Sequence, residues 1–144
     1  MTAPQRQASA PTIDPSRWVL LSIVLDAVLV ILFTVIGRLS HGENLGIGGV
    51  ATTAWPFLVG TLLAWLVTAA WRRPLALART GIPVWLITVV VGMVLRFLSS
   101  QGVAVSFVIV ATIVLGVFLL GWRAVVLPVA RRSARQTVSA RETR

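Results

Sequence analysis

One acidic residue stands inside an otherwise apolar run: Asp26, in SIVLDAVLVILF from Ser22 to Phe33. A charge near the centre of a bilayer costs about 2.5 kcal/mol or more on insertion scales, so it faces the protein interior and finds partners there. A carboxylate so placed can hold a proton or a cation, act as counter-ion to a bound group, or serve only to hydrogen-bond neighbouring helices. Ser22 and Thr34 at helical spacing, with Gly37 beyond them, extend a small or polar stripe on its face. A second stripe, Trp85, Thr88, Gly92, Arg96 and Ser99, follows spacings of three and four. If the two stripes meet, Arg96 is a partner for Asp26; the alternative is that Arg96 snorkels outward to headgroups. Arg38 and His41 follow the first run directly. Asp26, Arg38, His41, Thr88 and Arg96 are therefore the candidate polar or ligand cluster.

Other chemistries lack their residues. His41 is the single histidine and has Glu43 two positions on, which falls short of a metal shell; haem held by two histidines would require a dimer. Absence of cysteine removes thiolate sites and disulfides. GIGG at Gly46 to Gly49 has no following Lys and no strand-to-helix setting, so it reads as a flexible loop rather than a phosphate cradle. No catalytic, cofactor-binding or metal residues are expected, and the chain reads as a non-enzyme. A lipid-acting enzyme would need a second buried acid or a ligand set.

The elements that must position these residues are set by hydropathy. With 144 residues, 57% hydrophobic and 12% charged, and a mean hydropathy of +0.91, the chain is too apolar for a water-soluble domain. About 20 apolar residues cross a bilayer. Four such spans are predicted, about 18–36, 53–71, 81–98 and 103–122, forming an all-α antiparallel transmembrane bundle over 17–123. Residues 1–16 read as a disordered, Pro-punctuated tail and 124–144 as a basic cytoplasmic tail that begins as helix and frays. The loop from Gly37 to Thr52, with five glycines, is the longest; SSQG, Ser99 to Gly102, is a tight turn that makes the last two spans antiparallel neighbours. Gly60, Ala64 and Thr68 give the second span a small packing face.

All thirteen basic residues are arginine, against four acids, for a net charge of +9. Eleven of them flank the predicted spans on one side, and only Arg38 and Arg96 on the other. By the positive-inside rule both termini face the cytoplasm, the glycine-rich loop faces outward, and Trp18, Trp71 and Trp122 sit at the inner interface. Such placement argues for topology and attraction of the C-terminal tail to anionic lipid, and against nucleic acid. The bilayer is the expected partner; a homo-oligomer or a membrane-complex partner fits the small-residue faces. RLSHG (Arg38 to Gly42) is similar to RFLSSQG (Arg96 to Gly102), and Trp71-Arg72 to Trp122-Arg123. Two hairpins so related would form a parallel repeat, although helical hairpins also look alike for generic reasons. An Arg-only, Ala/Val/Gly-rich composition resembles that of proteins from GC-rich bacteria, so a bacterial cytoplasmic membrane is the expected location.

The segments GRLSH, WPFLVG, WLITVVVGMVLR and FVIVATIVLGVFLLGWR, in this order and together with Asp26, resemble the domain of unknown function 3054 family. Its members are small four-helix membrane proteins, found largely in actinobacteria and some archaea. The resemblance covers residues 18 to 123 and implies a four-span plan with no established activity. Asp26, Gly37, Arg38, His41, Pro56, Phe57, Gly92, Arg96, Trp122 and Arg123 are its family-like positions, with no roles attached. Two functions are carried forward: binding or passing a small solute or ion through the outer polar cluster, and service as an accessory or assembly subunit of a membrane complex.

Overall fold

The computed structural model describes residues 15–142. Most of the N-terminal tail predicted at 1–16 lies outside these residues. Four helices account for nearly all of the rest: α1 (Pro15–Ser40), α2 (Ile47–Val67), α3 (Ile82–Leu98) and α4 (Val105–Glu142). Four stretches, Ser16–Ser40, Ile47–Val67, Leu77–Leu98 and Val105–Pro128, are long and apolar enough to cross a membrane, and no strand occurs among the described residues. The chain is a multi-pass membrane protein with the predicted four-span plan.

Neighbours in sequence pack as neighbours in space, with α4 returning against α1 and the most extensive contact between α2 and α3. In this ring α1 and α3 lie diagonally. The predicted meeting of their polar stripes does not occur, because the Thr88–Gly92 face of α3 is taken by α2. A Cβ at Gly60 would stand 2.9 Å from the Thr88 carbonyl oxygen, and one at Gly92 would run into the Phe57 ring. Lipid gives helices no hydrophobic reason to associate, so close backbone approach through small residues supplies the attraction. Phe33, Phe57 and Phe107 interlock with centroids 5.5 to 6.3 Å apart. The Trp85 indole lies against Gly116 and donates to the Thr112 carbonyl at 2.9 Å, joining α3 to α4.

Boundaries shift where side chains intervene. The glycine-rich loop is shorter than expected, 41–46, and GIGG opens α2 instead of forming a flexible loop. Asn44 Oδ1 accepts from the Gly46 amide at 2.8 Å, and the Thr52 and Thr53 hydroxyls bond back to the Gly48 and Gly49 carbonyls, so helical backbone starts six residues early. Pro56 consequently lies within α2 rather than in its first turn. Its ring leaves the Thr52 carbonyl without a helical donor.

Helix α2 stops at Val67, not at Trp71: the Thr68 hydroxyl returns to Ala64 O at 2.7 Å and Ala69 takes a left-handed φ of 48°. One 3₁₀ turn, Ala70–Arg72, and one wide π turn, Leu77–Gly81, complete the connection to α3. Thr80 closes it by donating to Arg73 O at 2.8 Å. The turn from α3 to α4 uses positive φ at Ser100 and Gly102. Beyond the fourth span the backbone continues as helix through Pro128 to Glu142 instead of fraying.

Candidate functional site

Asp26 is fully buried, on a stripe with Ser22, Val30 and Thr34. Its partner is Arg123, not Arg96. Nη1 of Arg123 reaches Oδ1 at 2.8 Å and Nη2 reaches Oδ2 at 2.6 Å, a two-pronged ion pair in which both side chains have no exposure. Two indoles complete the site: Trp122 Nε1 donates to Oδ1 and Trp65 Nε1 to Oδ2, both at 2.9 Å. A carboxylate offers about four acceptor positions, and here four protein donors fill them.

Arg123 is equally engaged. Its Nε donates to the Pro74 carbonyl at 3.1 Å, Nη1 also donates to Leu119 O at 2.7 Å, and the guanidinium carbon lies 4.5 Å from the Trp122 ring centroid. A planar guanidinium matches a carboxylate in two parallel bonds, and its five donors serve several acceptors at once. The knot therefore joins α1, α2, α4 and the connection between α2 and α3. Each element places its residue for a local reason: Asp26 faces inward from α1, Trp65 lies in the last turn of α2, and Arg123 folds back from the end of the fourth span. Burial of Arg123 removes it from the surface arginines of that end, and Trp122 is a hydrogen-bond donor inside the bundle rather than only an interfacial anchor.

Arg38, His41 and Arg96 lie at the opposite end, about 18 Å along α1 from Asp26 at 1.5 Å per residue. That distance explains the failed pairing with Arg96. Arg38 holds the loop: its Nε and Nη2 donate to Asn44 O at 3.0 and 2.7 Å, and its Nη1 reaches Thr53 Oγ1 at 3.1 Å and Glu43 at 2.7 Å. A Cβ at Gly49 would come within 2.5 Å of this guanidinium, so glycine there admits the arginine. Arg96 makes a corresponding contact with its own loop, donating to Gln101 Oε1 and Gln101 O at 3.1 and 3.2 Å. It also lies 4.3 Å from the Phe107 centroid. Its Nε is buried without a hydrogen-bond partner among the described residues.

His41 is exposed, its amide closing the end of α1 on Gly37 O and Arg38 O. Thr88 pairs with Thr61 at 3.2 Å, inside the α2–α3 contact. The candidate cluster is thus three separate arrangements: Asp26 with Arg123, Thr88 with Thr61, and the loop-end group of Arg38, Glu43 and Arg96. No group of three or more metal-ligating side chains occurs among the described residues.

Arg38 has a measurable task. Arg38→Gln is expected to speed amide hydrogen exchange at Gly46 to Val50 roughly tenfold, as loss of one charge-assisted bond predicts. Exchange in α3 should not change. Equal acceleration in both places would mean that Arg38 supports the whole bundle rather than the loop.

Sequence reasoning passed over Trp65 and Arg123 as partners for Asp26. In the predicted span 53–71, Trp65 stands six residues, about 9 Å, inside the interfacial Trp71, too deep for an indole anchored at headgroups. A buried indole N–H needs an acceptor, and Asp26 is the one acid within the predicted spans. That requirement is the signal that links them. Compared with known proteins, residues 23–126 match the model of a family described as "Protein of unknown function (DUF3054)". No curated protein and no solved structure matches the chain.

Proposed function

The chain belongs to the DUF3054 family, whose description assigns no activity, and from that premise we propose that it is a non-catalytic accessory subunit of a complex in a bacterial cytoplasmic membrane. One observation carries the reading: the carboxylate within the membrane-spanning bundle, the group best suited to bind a proton or ion, has its acceptor positions filled by Arg123, Trp65 and Trp122. Such a site holds helices together rather than exchanging a ligand. A place for a partner helix is open beside α4, where Gly121 and Ala124 help line an apolar groove of about 400 Å³. Apart from its chain neighbours and the local backbone of α4, no described atom lies within 4 Å of a Cβ built on Gly121. Small residues on an exposed helix face let another backbone approach closely.

Extraction of the tagged protein in polymer nanodiscs, with cross-linking and mass spectrometry, tests this reading. One membrane protein is expected in stoichiometric amount, lost in Gly121→Leu while the melting temperature stays within a few degrees. Recovery of the chain alone, or only as copies of itself, sinks the proposal.

A second reading, solute or anion contact at the loop end, is favoured by the unpartnered Nε of Arg96. Anion uptake into vesicles that falls in Arg96→Gln and survives in Gly121→Leu would select it.

A further inference from the structure

We propose that a groove at the arginine-rich end of the bundle is a binding site for one anionic phospholipid. It lies between the start of α1, the α2–α3 connection and α4, with a volume of about 560 Å³. Trp18, Trp71, Leu75 and Leu127 supply apolar wall, and Arg72 and Arg73 stand in the same lining. Both arginines are exposed. This site uses neither the loop-end cluster nor the α4 groove, so it stands apart from both functional readings.

Charge identifies the occupant. At this end Arg17, Arg72, Arg73 and Arg79 are all exposed. The two acids whose side chains are described are engaged elsewhere, Asp26 with Arg123 and Glu43 with Arg38. The arginines of the groove therefore have no acidic partner among the described residues. A phosphate in the headgroup layer supplies the counter-charge, and arginine binds it in a planar, two-pronged geometry. Basic pockets between spanning helices suit lipids of this kind. The apolar wall then takes the first part of an acyl chain, while the two indoles sit where the chain meets the headgroup.

Shape is supplied by the backbone that the buried knot fixes. Pro74, between Arg73 and Leu75, gives its carbonyl to Arg123 at 3.1 Å, and Arg73 accepts the Thr80 hydroxyl through its own carbonyl. The connection is thus held at two points, with its arginine side chains directed to the groove lining. A preformed site of this sort binds without first ordering a loop.

The test uses the full chain in phosphatidylcholine vesicles that contain brominated phosphatidylglycerol or brominated phosphatidylcholine at equal mole fraction. Bromine quenches indoles it touches, and the contribution of the groove is the quenching lost in the Trp18→Phe/Trp71→Phe variant. Phosphatidylglycerol is expected to be preferred by about 25-fold, since each of the two groove arginines near an anionic surface contributes about fivefold. The preference should vanish in Arg72→Gln/Arg73→Gln and persist in Arg131→Gln/Arg132→Gln/Arg135→Gln, which removes charge from the C-terminal segment instead. Trp65 and Trp122 emission checks that the bundle is intact in every variant. Equal quenching by both lipids overturns the proposal, as does a preference that follows the C-terminal arginines. Absence of groove quenching by either lipid means that protein covers the groove, and overturns it too.

Discussion

Arg123→Gln is expected to destabilise the bundle by about 3–5 kcal/mol, the usual cost of leaving one member of a buried ion pair without the other. Asp26 would keep its two indole donors and lose both guanidinium contacts. Pro74 O would lose the donor that ties the α2–α3 connection to the bundle. Asp26→Asn is expected to cost a similar amount for the opposite reason: the cation stays buried, and one of the indoles or guanidinium donors faces an amide nitrogen. Combining the two removes both charges. Because residues in one network are strongly non-additive, the double variant should cost no more than the worse single one. Unfolding in mild detergent, followed by fluorescence of Trp65 and Trp122, reads all three. Simple addition of the two single effects would show that Asp26 and Arg123 act independently, and the knot would lose its assigned role.

The second large effect concerns the α2–α3 contact. Gly92→Ala and Gly60→Ala are each expected to cost about 1–3 kcal/mol, the range for forcing extra atoms into a packed interior. Their causes differ in a way that can be separated. The new methyl at position 92 meets the Phe57 side chain, while that at position 60 meets the backbone of Thr88. Shortening Phe57 to Leu should therefore relieve Gly92→Ala and leave Gly60→Ala unrelieved, when each double variant is compared with Phe57→Leu alone. Relief of both, or of neither, would mean that the helices separate as rigid bodies and that no single contact sets their distance.

Much of the fold was legible because lipid simplifies the code. Four apolar runs separated by Arg, Pro and Gly can do little except cross as helices, and the stripe of Ser22, Asp26 and Thr34 is buried as its spacing required. Errors arose where a side chain competes with composition. The five glycines between Gly37 and Thr52 suggested irregular backbone, but Arg38, Asn44 and two threonine hydroxyls satisfy enough polar groups to start α2 among them.

The candidate site was legible in part. Asp26 announced itself; its partner did not. Arg123 stands beside Trp122 at the end of a span, where a topology-setting arginine has the same sequence appearance as a buried one. Only the ring order of the helices separates them, since it brings α4 against α1 and sets α3 across the diagonal. Arg96 matched Asp26 by face, but α2 occupied that face first.

The ion pair joins residues 97 positions apart, which has a consequence for biosynthesis. Chains grow at about 5–20 residues per second, so Asp26 enters the membrane on the order of ten seconds before the ribosome has made its cation. Throughout that interval the first three helices lack the donors contributed by Trp122 and Arg123. A nascent chain interrupted before the fourth helix therefore holds Asp26 without the guanidinium and the second indole that complete its site. Synthesis of the fourth helix and closure of the knot around Asp26 are, in this protein, tied together.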